Sequence, residues 1–451
     1  MSEKKNILIE WIMNKFLLLI IKILFLRILL FFIPIRIQIL GLIVFIFSLI
    51  LILNINNLIN YYIYINIDLI SIRLILLRLW LIFLIILRQF NISYINILIF
   101  MFISLNIGLI FSFSVNRLIS FYFFFEWSLI PIFFIIMGWG YQLERLKSRF
   151  YLLLYTLFAS LPILVIILSL NKYLFNNNIN YLIRLIFYYF NNFYLLIFYI
   201  SFLVKFPIFF FHQWLPKAHV EAPVRGSIIL AGILLKLGGY GIIRRLFFFE
   251  KSFFLKFIMV FSIFGGSILR ILCLINSDIK VIIAYSSVVH IALIIINIFS
   301  KNFWRINGRI IIIIAHGICS SGIFSSANMI YERSHSRIII LNKRNINLYA
   351  NIAIFWFLLC IANFGGPFTY NLLGEILLII RLRTINYLFI IFIIFISFFS
   401  ASYRLILYSN LQQGCNNNLI FNIDKINFRE NITLLSHIWL LLLLLLSPIL
   451  L

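Results

Sequence analysis

The sequence predicts an all-α polytopic membrane protein of about fourteen transmembrane helices, and three observations carry that expectation. Of 451 residues, 64% are hydrophobic and only 11% charged, too little polar surface to wet a soluble fold of this length. Apolar runs near the ~20 residues that cross ~30 Å of hydrocarbon as helix follow one another almost without pause. No long hydrophilic insertion separates them, so whatever the chain does happens within the membrane. In lipid the backbone must satisfy its own hydrogen bonds, which makes helices the default. A closed barrel would need ~10-residue segments of alternating polarity, and residues 79–87 (LWLIFLIIL) show none.

Taken in order, the expected spans are 16–33, 37–53, 70–89, 95–113, 115–137, 148–170, 192–212, 225–247, 255–275, 279–299, 306–329, a broken 350–380, 384–409 and 431–451. The first follows the polar opening Met1–Glu10 and runs on without a small-residue cleavage site, so it reads as a membrane helix and not a removable signal. Asparagine-rich joints at 54–60, 176–180 and 416–418 mark loops, and Tyr331–Asn347 is the long polar connection before the broken span. The block 212–223 reads as a short loop closing a helix broken near Lys205 and Pro207. Gly365-Gly366-Pro367 breaks the twelfth span ahead of Glu375. A charge beside a broken helix in corresponding places of two halves points to inverted repeats around a midplane site. The expected organisation is therefore 1–94 as N-terminal helices, 95–247 and 255–409 as two inverted repeats of about five helices each, and 410–451 as a loop and final helix.

The formal charge of +25 does not indicate nucleic-acid binding, because the 37 Lys and Arg are scattered among apolar segments instead of collected on one face. Cys273, Cys319, Cys360 and Cys415 have no metal or disulfide spacing and read as inert helix residues. The bias toward Ile, Leu, Phe, Asn, Tyr and Lys matches AT-rich codons and suggests an organelle genome.

Chemistry concentrates in a few ionisable residues. Glu126 and Glu375 lie within apolar spans, where a carboxylate costs roughly 2.5–3.5 kcal/mol on insertion scales and tends to be retained for function. The bland alternative is a protonated carboxyl bonded to a neighbouring helix. Lys205 and Lys236 are flanked by apolar residues; they either sit desolvated, where a lysine can give up its proton, or snorkel to the interface. A buried Glu–Lys pair is a candidate proton switch, and His290, His316 and Glu375 extend it into a row of the kind a proton relay needs. A lone apolar-helix histidine is as often a satisfied core residue. His212 and His219, spaced His-x6-His without a third ligand, are a weak metal signal, and a gating or structural use fits them better.

The runs FEWSLIP (125–131), GWGYQLER (138–145), HQWLPKAHVEAPV (212–224), LKLGGYG (235–241), AYSSVVH (284–290), AHGICSSG (315–322) and NLLGE (371–375) occur in one order. Together they resemble the antiporter-like membrane subunits of mitochondrial NADH:ubiquinone oxidoreductase, respiratory complex I. The resemblance extends from about Asp68 to Tyr408. It implies a multi-pass subunit of the mitochondrial inner membrane that translocates protons, with Glu126 and Lys205 as first-half pair, Lys236 as central lysine, His316 on the central axis and Glu375 as terminal exchanger. It also implies no cofactor in this chain, with NADH, FMN, iron–sulfur clusters and ubiquinone bound by other subunits. The partners it implies are other membrane subunits of the complex, neighbouring antiporter-like ones above all. A cation/proton antiporter without redox partners shares the architecture and stays open as the alternative.

One departure stands out. Arg78, Arg225, Arg270, Arg309 and Arg404 occupy places where that family usually has serine or another small residue, several inside apolar spans at roughly 2.5–3.5 kcal/mol each. The expectation is that these are AGA or AGG codons, read as serine in invertebrate mitochondria, with ATA methionines likewise written as isoleucine; the chain has only 6 Met. Part of Met1–Ile12 would then also precede the true start.

Overall fold

The computed structural model describes residues 68–88, 94–173, 192–245, 253–299, 305–343, 350–382, 387–414 and 427–446. The expected spans 16–33 and 37–53, Cys415 and the three asparagine-rich joints lie outside the described residues. Every other expected span falls on a helix. In chain order these are α1 (Leu69–Leu87), α2 (Ile95–Ser114), α3 (Leu118–Trp127), α4 (Leu129–Trp139), α5 (Arg145–Tyr173), α6 (Asn192–Lys205) and α7 (Trp214–Glu221). There follow α8 (Val224–Ile229), a π turn (Leu230–Leu234), α9 (Leu235–Arg245), α10 (Phe253–Ile275), α11 (Ile279–Phe299) and α12 (Arg305–Ser334). The last four are α13 (Ala350–Phe364), α14 (Tyr370–Leu382), α15 (Tyr387–Gln412) and α16 (Phe428–Leu446). Among the described residues, nine segments are long and apolar enough to cross a membrane.

α12 is the axis of the bundle. It packs against α1, α8, the π turn, α11, α13, α14 and α16. Its small residues, including Gly317 and Gly322, let neighbouring backbones approach, which is how helices associate in lipid. Its hydroxyls remain satisfied within the helix: Ser320 donates to His316 O (2.6 Å), Ser321 to Ile318 O (2.9 Å) and Ser325 to Gly322 O (2.6 Å). Peripheral helices keep their apolar side chains outward, as with Leu154, Phe158 and Val165 on α5.

Two breaks share one device. Pro207 has no N–H to give Leu203, and Ile208 N–H bonds Leu203 O instead (3.0 Å), which frees the carbonyl of Val204. The indole Nε1 of Trp214 then donates to Val204 O (3.1 Å). At the second break Gly365 takes a left-handed φ of 72°, and Asn371 Nδ2 from the restarted helix donates to Ala362 O (2.8 Å). In both places a side chain of the next helix caps the one that stopped, as backbone in a bilayer requires.

Three expectations need correction. The stretch 212–223 is not a loop: residues 214–221 form α7, with Pro216 in its first turn, where a missing N–H costs nothing. The expected span 115–137 remains one candidate crossing, Leu118–Trp139, but a turn at Ser128 divides it into α3 and α4, because Pro131 has no N–H to give Trp127. The polar connection begins only after Ser334; it then folds back on the start of α11, where Ile279 N–H bonds Arg337 O (3.1 Å) and Ile339 N–H bonds Ser277 O (3.0 Å).

Candidate proton path

Glu126, near the end of α3, and Lys205, the last residue of α6, meet where both helices stop. The Lys205 ammonium donates to Glu126 Oε1 (3.0 Å) and to Phe125 O (2.9 Å), and lies 3.2 Å from the centre of the Phe125 ring. Both side chains are withdrawn from solvent, 6% and 16% exposed, so Lys205 does not snorkel to the interface. Glu126 Oε2 has no partner among the described residues. The hydroxyl of Ser128 donates to Phe125 O (2.8 Å), holding the helix junction beside the pair.

Beyond Lys205 lies a cavity of about 20 Å3, bounded by Ser128, Thr156, Lys205, Leu230, Leu234 and Leu237 among others. That is room for about one water by volume (~10–15 Å3), but the lining is almost wholly apolar, since Ser128 and Thr156 spend their hydroxyls on Phe125 O and Leu152 O. Its far wall is the π turn and the start of α9. The wider turn, with Leu235 N–H returning to Leu230 O, sits directly ahead of Lys236.

Lys236 is fully buried. Its amine donates to Ala231 O and to Nδ1 of His316 (3.3 Å). When Lys236 is protonated it only donates, so that His316 then accepts at Nδ1 and carries its proton on Nε2, which faces no partner among the described residues. The His316 ring stacks on His290 with centroids 4.9 Å apart. His290 Nε2 accepts from Arg404 Nη2 (2.7 Å), and Arg404 and Arg270 both lie within electrostatic range of Glu375. Glu375, partly buried, packs its carboxylate against the Gly365 break.

The fold thus gathers the residues singled out by sequence into two groups, Glu126–Lys205 and Lys236–His316–His290, with Glu375 at the far end. His212 and His219 make no hydrogen bond to either group among the described residues, although His219 lies within electrostatic range of Lys236. His219 stacks on Phe324 (4.5 Å) and His212 on Phe209 (5.5 Å), and among the described residues no three His, Cys, Asp or Glu are grouped as a metal site would be. Cys273, Cys319 and Cys360 are buried free thiols.

Sequence reasoning passed over one further cluster. Glu221 accepts the Gln142 N–H (3.1 Å) and pairs with Arg337 (3.3 Å), while Lys280 lies 4.6 Å from the Tyr141 ring and donates to Val220 O (3.5 Å). Tyr141, in the loop before α5, donates to Asn328 (3.0 Å); burial, then Glu332, pushes its phenol up to about 12, so it remains a donor at physiological pH. A lysine in the first turn of a span reads as an ordinary interfacial anchor, and only the fold brings Tyr141 over it.

Residues 115–400 match the family model described as NADH:quinone oxidoreductase/Mrp antiporter, transmembrane. The chain belongs to this family. Among antiporter-like relatives, NADH-ubiquinone oxidoreductase chain 4 of Ceratitis capitata is 40% identical over 401 residues, 85% of this chain and 86% of the relative. The protein of the same name from Locusta migratoria is 46% identical over 331 residues, 72% of this chain and 73% of that one. The fold is that of a chain in respiratory complex I from Thermus thermophilus, with a TM-score of 0.83 over 94% of both chains at 19% identity. A chain of the Mrp complex from Dietzia sp. DQ12-45-1b aligns with a TM-score of 0.74 at 14% identity, over 85% of this chain and 81% of that one. The matched region holds Glu126, Lys205, Lys236, His290, His316 and Glu375 together.

Proposed function

We propose that this chain is a proton-translocating membrane subunit of a mitochondrial NADH:ubiquinone oxidoreductase, and that Glu126, Lys205, Lys236, His316 and Glu375 carry its protons. The observation that bears most weight is the contact of a fully buried lysine with a histidine that stacks on another, Lys236 to His316 to His290. Such intramembrane groups mark relays by default.

Glu126 sets the state of Lys205. At 3.0 Å and an effective dielectric of ~20 the pair attracts by about 5 kcal/mol. Protonation of Glu126 through its free Oε2 removes that attraction and lets the amine turn from the α3 end toward the cavity. With the amine turned inward, the cavity gains a polar group able to hold a water on the way from Lys205 to Lys236, whose proton passes to Nδ1 of His316 while Nε2 releases another. His290 is the next group toward Glu375, which exchanges protons with one aqueous side; what connects these two is set by the residues at positions 270 and 404. Redox energy enters from elsewhere in the complex, where NADH, FMN, iron–sulfur clusters and ubiquinone are bound. Neighbouring antiporter-like subunits in the inner mitochondrial membrane are the partners.

In this reading the whole chain has about fourteen helices, with 95–247 and 255–409 as inverted repeats; the similar capping of the breaks beside Lys205 and Gly365 supports it. A cation/proton antiporter without redox partners remains the second reading, since the family embraces both. The chain-4 name carried by relatives that align over most of this chain favours the oxidoreductase. Comigration with NADH-oxidising activity on a native gel separates the two, as an antiporter would run without it. Within the assembled complex, Lys205→Ala is expected to abolish most proton uptake; an assembled variant that pumps normally refutes the role given to this lysine.

A further inference from the structure

We propose that positions 270 and 404, written as arginine, hold serine in the assembled protein, and that these hydroxyls, with water in the space the guanidiniums now fill, connect His290 to Glu375.

Arg270 on α10 and Arg404 on α15 are 1% and 4% exposed, on largely apolar helices whose other polar residues are mostly small hydroxyls. Each guanidinium leaves two N–H positions, Nε and Nη1, without an acceptor among the described residues. A buried charge is tolerated when it is paired and fully hydrogen-bonded, and neither condition holds. The four ion pairs among the described residues join Lys205 to Glu126, Arg244 to Asp68, Arg333 to Glu430 and Arg337 to Glu221, and none reaches these two arginines. The two cations also lie within electrostatic range of each other, so each adds to the other's cost.

Their place in the fold makes the conflict chemical as well as energetic. Both lie within electrostatic range of His290 and of Glu375, the two groups that the proton path must connect. Arg404 holds Nε2 of His290 at 2.7 Å. A guanidinium donates but accepts nothing and does not give up its proton in proteins, so an arginine there ends the path at His290. A serine hydroxyl donates and accepts at once. It also removes the guanidinium and the methylenes behind it, and a polar space opened in this way is one that water fills.

Serine at both positions follows if the codons are AGA or AGG and the organelle decodes them as invertebrate mitochondria do. The same decoding makes Arg78, Arg225 and Arg309 serine and some isoleucines methionine, which provides internal controls.

The identity of the residues does not depend on the proton path; the connecting role does, and the two are tested separately. The complex is purified from the source mitochondria and digested in parallel with trypsin and chymotrypsin. The expected result is no tryptic cleavage at 270 or 404, with serine read directly in the chymotryptic peptides. Cleavage there, arginine in those peptides, or CGN codons at these positions overturns the proposal. For the role, R404A in the assembled complex is expected to lower proton uptake several-fold with its native-gel band unchanged, and R404S to match the organelle-made protein. Normal uptake in assembled R404A overturns the connection. Loss of assembly in R404A shifts the same comparison to R270A, read the same way.

Discussion

Replacing Glu126 with glutamine removes one charge and almost no volume. The pair it breaks is 3.0 Å long, with side chains 6% and 16% exposed. Lys205 retains the Phe125 carbonyl at 2.9 Å and the Phe125 ring at 3.2 Å, but loses its only carboxylate among the described ion pairs. Leaving one member of a buried pair uncompensated costs about 3–5 kcal/mol, which is a factor of about 10²–10⁴ in the occupancy of the paired arrangement. Because an amide neither takes up nor releases a proton here, the switch no longer has two states. Glu126→Gln should therefore insert and assemble, while quinone reduction coupled to pumping falls by at least about tenfold. The assay is NADH-driven acidification of proteoliposomes, with assembly followed on a native gel. An assembled Glu126→Gln complex that pumps at the original rate would refute the switch, whatever its effect on stability.

Two further outcomes test the frame around the path. Gly365→Ala forces a side chain into left-handed backbone, at about 1–2 kcal/mol, and places its Cβ 2.8 Å from Glu375 Oε2. Proton uptake should fall further than NADH oxidation by an artificial acceptor; equal loss of both means that the break serves stability alone. Arg337→Ala strips Glu221 of its cation in a pair 9% and 3% exposed, costing about 3–5 kcal/mol. Assembled complex should decline and thermal inactivation come earlier, with Arg337→Lys recovering part of it; an unchanged inactivation temperature removes Glu221–Arg337 from the forces that hold this end of the bundle.

Helices were legible in this sequence because the bilayer permits little else, and the ionisable residues because charges are conspicuous in apolar runs. Glu126, Lys205, Lys236 and His316 all lie in the interior on that signal. The breaks at Pro207 and Gly365 were legible too, since proline and glycine act on the local backbone. What escaped depends on contacts between segments distant in the chain. The segment 214–221 reads as a loop because its polar residues and Pro216 suggest one, yet proline in a first turn is harmless and the surrounding helices bury six of its eight residues. The π turn ahead of Lys236 has no local signature, being a register slip among Leu, Ala, Gly and Ile. The stacking of His290 on His316 joins α11 to α12, and the Tyr141–Lys280 contact joins a loop to a helix start far along the chain. No spacing rule reports either.

The central claim is that protons cross this chain through the junction at Lys236, between the Glu126–Lys205 pair and the histidines. Lys236→Met keeps most of the side chain's length and removes its charge and its donors to Ala231 and His316. The decisive measurement is the number of protons taken up per NADH oxidised by the reconstituted Lys236→Met complex. The account predicts an assembled complex whose ratio drops or whose coupled turnover nearly stops. The original ratio at the original rate would contradict it.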